Sequence, residues 1–125
     1  MRSNLAARLM MAVSLLAAGA MMARQVADQT RRVPQFENDD VKVWRSVIAG
    51  NQPLAMHRHD HPRVIVPLVG GTLKVVRESG GSQTVAWEVG KAYWLAADPP
   101  DARHADVNEG DKPIEVIVVE LKKAK

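Results

Sequence analysis

Four side chains can do acid–base or metal chemistry near neutral pH in this cysteine-free chain: His57, His59, His61 and His104. The first three stand at alternate positions in Met56-His57-Arg58-His59-Asp60-His61-Pro62-Arg63, and the fourth lies 43 residues beyond His61. In an extended chain, residues two apart share a face, so His57, His59 and His61 would converge on one side of a strand. Imidazole is the commonest side-chain ligand for divalent transition metals. A metal pocket closed by His104 from a distant strand is therefore the first expectation, set against the plainer one of ordinary surface histidines. Without cysteine there are no disulfides, thiolate ligands or thiol nucleophiles. No nucleophile elbow or phosphate-cradling glycine loop is present either. Met56 reads as packing, and Asp101 and Asp106 near His104 read as turn and rim residues rather than general bases.

The elements that would carry these side chains are strands. Val41–Ile48 alternates and ends on Gly50-Asn51, and Arg63–Val69 is apolar on both faces, with Pro67 marking an edge or bulge. Gly70-Gly71 turns into residues 72–77, and Glu78-Ser79-Gly80-Gly81-Ser82 is a hairpin loop returning as residues 83–89. Residues 92–96, 104–108 and 114–121 complete the set; in the last, Ile114, Val116, Val118 and Glu120 oppose Glu115, Ile117, Val119 and Leu121. No helix is expected after residue 40. Many short strands punctuated by Gly and Pro indicate a single-domain all-β sandwich or barrel. Trp87, Tyr93 and Trp94 would be core, or would line a barrel mouth.

The N-terminus has a different character. Arg2 and Arg8 precede a run, Leu9 to Met22, that is apolar or small apart from Ser14, and Ala18-Gly19-Ala20 suits signal peptidase. Residues 1–20 therefore read as a signal peptide of the general secretory type, cleaved between 20 and 27, with residues 21–37 a flexible linker and 38–122 the folded domain. A periplasmic or secreted location follows. Of 17 basic residues, removal of Arg2 and Arg8 leaves 15 against 14 acids, so the mature domain is nearly neutral. No basic stripe with interleaved aromatics is present, which argues against nucleic acid. No membrane partner is expected after cleavage. An exposed strand edge and the apolar alternate face of Val41–Ile48 or Ile114–Leu121 suggest a homodimer through sheet packing, with a monomer as the alternative.

Two motifs resemble those of the cupins, whose fold is a double-stranded β-helix, a jelly-roll barrel. Gly50, His57-Arg58-His59 and Gly70 follow the first cupin motif, with Gly50 one residue further from His57 than usual and Arg63 in the place of the glutamate. Gly90, Pro99, His104 and Asn108 follow the second, with Asp101 in a glycine place and a longer stretch between Gly90 and Pro99. The likeness covers about residues 40–121. Within the family, residues 37–44, 64–68 and 107–122 are most similar to small single-domain cupins linked to beta-alanine degradation.

The resemblance implies a divalent transition metal (Fe, Mn, Zn, Ni or Cu) on His57, His59 and His104, with His61 as a reserve ligand. Arg63 decides how that site would work, because a guanidinium stays protonated and offers no lone pair. Three outcomes are open. Three neutral imidazoles hold the metal, as in three-histidine dioxygenase-like cupins, and Arg63 anchors the carboxylate of a small anionic ligand. Alternatively His61 or Asp60 becomes a fourth ligand and Arg63 turns outward. In the third, no metal binds and Arg63 is a solvated, ion-paired strand residue. The corresponding functions are a metal-dependent oxygenase or related enzyme, a non-catalytic metal- or metabolite-binding cupin, and a degenerate cupin without metal.

Overall fold

The computed structural model describes residues 29–124. Nine strands make up the fold: β1 (Arg31–Glu37), β2 (Val41–Ile48), β3 (Leu54–His57), β4 (Arg63–Val69), β5 (Gly71–Arg77), β6 (Ser82–Trp87), β7 (Tyr93–Leu95), β8 (His104–Val107) and β9 (Ile114–Leu121). They form a five-stranded sheet in the order β1-β2-β9-β4-β7 and a four-stranded sheet in the order β3-β8-β5-β6. All strand pairings are antiparallel.

The alternation in the sequence explains the layering. On β9, Ile114, Val116 and Val118 are buried between the sheets while their neighbours face outward. Trp44 on β2, Ile65 on β4, Leu73 on β5 and Trp87 on β6 join them in one core. Each such side chain contributes about 1.5–3 kcal/mol by leaving water. Tyr93 packs edge-on against Trp87 with ring centroids 4.6 Å apart, whereas Trp94, one residue on, is exposed. The register breaks between Pro67 and Val69, the irregularity expected where proline cannot donate to the ladder.

One expectation changes. Residues 31–37, read as linker, are a strand paired with β2 from Arg31↔Val47 to Glu37↔Lys42. Its periodicity is hidden because most of its residues are exposed and Pro34 interrupts it near a bulge between Pro34 and Phe36. Consequently β2 has β1 and β9 on its two sides, and β9 has β2 and β4, so both are inner strands of the sheet. The signal peptide (1–20) and residues 21–28 of the linker lie outside the described residues.

The motif glycines and Asn108 hold loops together. A Cβ on Gly50 would stand 2.3 Å from the Gly110 carbonyl oxygen, and one on Gly70 2.6 Å from that of Trp87. Asn108 is buried; its amide donates to the carbonyls of Ile48 (2.9 Å) and Lys112 (2.6 Å), and its Oδ1 accepts the Gly110 N–H (3.0 Å). This junction ties the end of β2 to the loop after β8.

Candidate metal centre

The site grows from the pairing of β3 with β8. Leu54 pairs with Asp106 but His57 pairs with His104, so β3 carries one extra residue over that interval. Simple alternation from Leu54 would turn His57 away from the barrel; the bulge reverses the parity, and both residues line the interior cavity. On β8, His104 and Asp106 are two apart and both face inward. His59 lies past the end of β3 and is fastened from the loop after β7. Its N–H donates to Asp98 Oδ2 (2.8 Å), and its carbonyl accepts the Asp98 N–H (2.8 Å).

These pieces bring His57, His59 and His104 together, with one ligand nitrogen from each inside a 4.8 Å span. Ring centroids are 4.5 Å apart for His57–His104, 4.9 Å for His57–His59 and 5.8 Å for His59–His104. His59 stacks over Trp44, which sets its ring plane. Burial lowers the pKa of His57, opposed by its hydrogen bond to Ala55 and by Asp106. His59 is pushed down to about 2, by burial first and then by Arg63, with smaller contributions from the neighbouring His57 and Arg32. Both rings are therefore neutral at pH 7, the form that ligates metal.

His57 shows the fit to a metal most plainly. Its Nδ1 is 2.7 Å from the Ala55 carbonyl, an acceptor only, so the proton sits on Nδ1 and Nε2 carries the lone pair. That Nε2 is buried without a hydrogen-bond partner. Backbone or carboxylate oxygen on one ring nitrogen, with the other left bare, is the arrangement of a metal-binding histidine. The remaining rings follow the same logic at longer range: His59 Nδ1 is 3.6 Å from Glu120 Oε2, and His104 Nδ1 is 3.7 Å from Asp98 Oδ2.

His61 is not in this group. The strand breaks after His57, so the three alternating histidines do not share one strand face; His61 falls in a bend, and Asp60 is exposed and paired with Arg58. Arg63, in contrast, is buried, at 5% exposure, and lines the cavity. Both the outward-turned and the solvated placements of Arg63 are thus corrected. Its Nη1 donates to the Ala96 carbonyl (3.1 Å), and its Nη2 lies 3.7 Å from Asp98 Oδ1. Burial lowers its pKa, and Asp98, Asp106 and Glu120 pull the other way.

Three residues overlooked in the sequence, with Asp106 read there as a rim residue, complete the charge pattern. Asp98 stands between Arg63 and His104, so part of the anion needed between a guanidinium and a metal is the protein's own. Glu120 pairs with Arg63 in register and faces His59. Asp106 lines the cavity rather than the rim. Arg32 on β1 packs its guanidinium 5.5 Å from the Trp44 ring and also reaches the cavity. Glu120 and Asp106 were findable, each standing on the inward face of an alternating strand. Asp98 in a loop and Arg32 on a strand without periodicity gave no such signal.

The cavity holds about 430 Å³. Below the histidines its wall is apolar, formed by Ile48, Ile65, Leu73, Val85, Trp87 and Val118 among others. A small organic molecule with an apolar body and a charged end fits such a site.

No protein-family model matches the chain, and no curated protein matches its sequence. Solved structures do. A cupin domain from Bordetella pertussis is 25% identical with a TM-score of 0.66, over 74% of this chain and 93% of that one. An RmlC-like cupin with a double-stranded β-helix from Methanocaldococcus jannaschii is 11% identical (TM-score 0.58; 75% and 81% covered). A Klebsiella pneumoniae protein with a double-stranded β-helix domain is 19% identical (TM-score 0.58; 78% and 81% covered). The fold is the cupin jelly roll.

Proposed function

We propose that this cupin barrel is a divalent-metal protein whose three histidines hold the ion above a cavity that takes a small anionic organic molecule, and that it acts on that molecule as an oxygenase or a related enzyme. The observation that carries the reading is the bare, buried Nε2 of His57 in a cluster of three imidazoles. The chemistry a bound metal supplies there is Lewis-acid polarisation of an oxygen atom, with open positions left by a three-histidine set. The chain's own residues do the rest. Arg63 has cavity-facing N–H donors beyond the one given to Ala96, and these bind and orient a carboxylate. The apolar wall excludes water and fixes the body of the ligand. Asp98 holds His59 by its N–H and balances Arg63.

The likeness to cupins linked with beta-alanine degradation accords with a small carboxylate as the ligand. Export to the periplasm, with metal acquired there, belongs to the same reading. So does a homodimer formed through the outer face of the five-stranded sheet. Elemental analysis of protein purified from the periplasm without added metal tests the proposal. One divalent ion per chain, lost in a His57→Ala, His104→Ala double variant, is expected; its absence from the parent protein would leave a degenerate barrel. Oxygen uptake with a panel of small carboxylates and thiols then separates an enzyme from a carrier.

A further inference from the structure

The ligand place that Arg63 takes out of use has a substitute elsewhere in the fold. We infer that Asp106 is the fourth protein ligand, making a set of three histidines and one aspartate whose carboxylate comes from β8 instead of β4. The inference rests on the metal reading above and adds to it.

Three carboxylates surround the histidines, and their placement separates them. Asp98 and Glu120 lie against Nδ1 atoms, those of His104 and His59, the side of a ring that faces away from a metal held by Nε2. Asp106 lies on the other side. Its Oδ2 is 3.8 Å from His57 Nε2 and its Oδ1 is 4.0 Å from His104 Nε2. One carboxylate thus faces the inward nitrogens of two histidines from two strands.

That juxtaposition is unfavourable without a cation. The proton of His57 is committed to Nδ1 by the Ala55 carbonyl, so the Asp106 carboxylate looks at a lone pair. Acceptor faces acceptor, both largely shielded from water, with Asp106 17% and His57 14% exposed at their side chains. A divalent ion between them resolves the conflict. Two ligands of one such ion, each about 2.0–2.2 Å from it, stand about 3–3.5 Å apart. Closing the gap from 3.8 and 4.0 Å takes less than about 1 Å of side-chain movement.

Charge gives a second, independent reason. Arg63 puts a positive charge where the first cupin motif carries a glutamate. Asp106 returns the negative charge at the cluster itself, and Arg63 is in turn balanced by Asp98.

Metal-stripped full-length protein titrated with Co²⁺ and Zn²⁺ provides the test, with affinity read by chelator competition and geometry by the visible spectrum of the cobalt form. Asp106→Asn keeps the shape but weakens ligation. It should lower Zn²⁺ affinity by more than about 100-fold, beyond the roughly 10–100-fold that loss of an outer-sphere partner commonly costs, and change the cobalt spectrum. Asp106→Glu should restore much of the affinity if Asn alone perturbs folding. Asp98→Asn and Glu120→Gln should leave the spectrum close to that of the parent. An Asp106→Asn protein with the parent cobalt spectrum, whether or not its affinity falls, would overturn the assignment while leaving the three-histidine reading intact. A parent protein that takes up neither ion would overturn that reading itself.

Discussion

Replacing Arg63 by methionine separates substrate anchoring from metal binding more sharply than any other single change. Arg63→Met keeps an unbranched chain in the same apolar slot while removing the guanidinium. The lost interactions within the protein are one hydrogen bond to Ala96 at 3.1 Å and an ion pair with Asp98 at 3.7 Å, too long for a hydrogen bond. Asp98 keeps the His59 N–H at 2.8 Å and retains some exposure, so it is not stranded without a partner. The cost to folding should be about 1–3 kcal/mol, below that of breaking a fully buried pair. A bound carboxylate loses two charge-assisted hydrogen bonds, each about 1.5–3 kcal/mol, so its affinity should fall by 100-fold or more, roughly. Metal affinity should hold or rise, because Arg63 is among the cations that disfavour positive charge at His59. Calorimetric titration with small mono- and dicarboxylates, on protein loaded with Zn²⁺ and assayed for zinc content, reads both effects on one sample. Equal loss of zinc and carboxylate, or carboxylate binding that is unchanged, would refute the anchoring role.

Further consequences concern stability. His59 is held neutral in the fold with a pKa of about 2 against an ordinary 6.5, so the unfolded chain binds more protons below pH 6.5 and stability falls as the pH falls. Between pH 7.5 and 5.5 this one ring should cost metal-stripped protein about 1.4 kcal/mol. His57, shifted in the same direction, adds to the loss. Urea unfolding at both pH values should show a shallower dependence in His59→Gln; an unaltered slope would count against a neutral, buried His59. Asn108→Ala removes three hydrogen bonds, one buried and two partly buried, at the junction of β2 with the loop after β8 and should cost about 3 kcal/mol. Gly50→Ala, which puts a methyl group 2.3 Å from the Gly110 oxygen, should cost about 1–3 kcal/mol by overpacking. If either variant melts with the parent, the junction is not the clamp described.

The barrel was readable in the chain because its cause is local. Alternation on β2, β5 and β9 and the apolar run of β4, with glycines where a Cβ would strike a facing carbonyl, dictate strands and turns residue by residue. The meeting of His57 with His104 was legible through the likeness to the two cupin motifs that carry them, not through strand periodicity. Other features were decided by contacts between segments. The bulge in β3 that turns His57 inward depends on pairing with β8, and the strand character of residues 31–37 depends on β2. The inward burial of Arg63 depends on Asp98, which arrives from a loop whose path no periodicity announces. His61 failed as a ligand because the strand stops at His57, which spacing alone could not reveal.

The central claim is that a lone pair on His57 Nε2 waits for a cation among the three clustered imidazoles. Long-range ¹H–¹⁵N NMR of the histidine rings, on metal-stripped protein and again after one equivalent of Zn²⁺, tests it directly. Before zinc, His57 should be the Nδ1–H tautomer with an unprotonated Nε2. After zinc, Nε2 of His57 and of His104 and one ring nitrogen of His59 should shift together, while His61 stays in place. Zinc that moves none of these nitrogens, or moves His61 alone, would contradict the account.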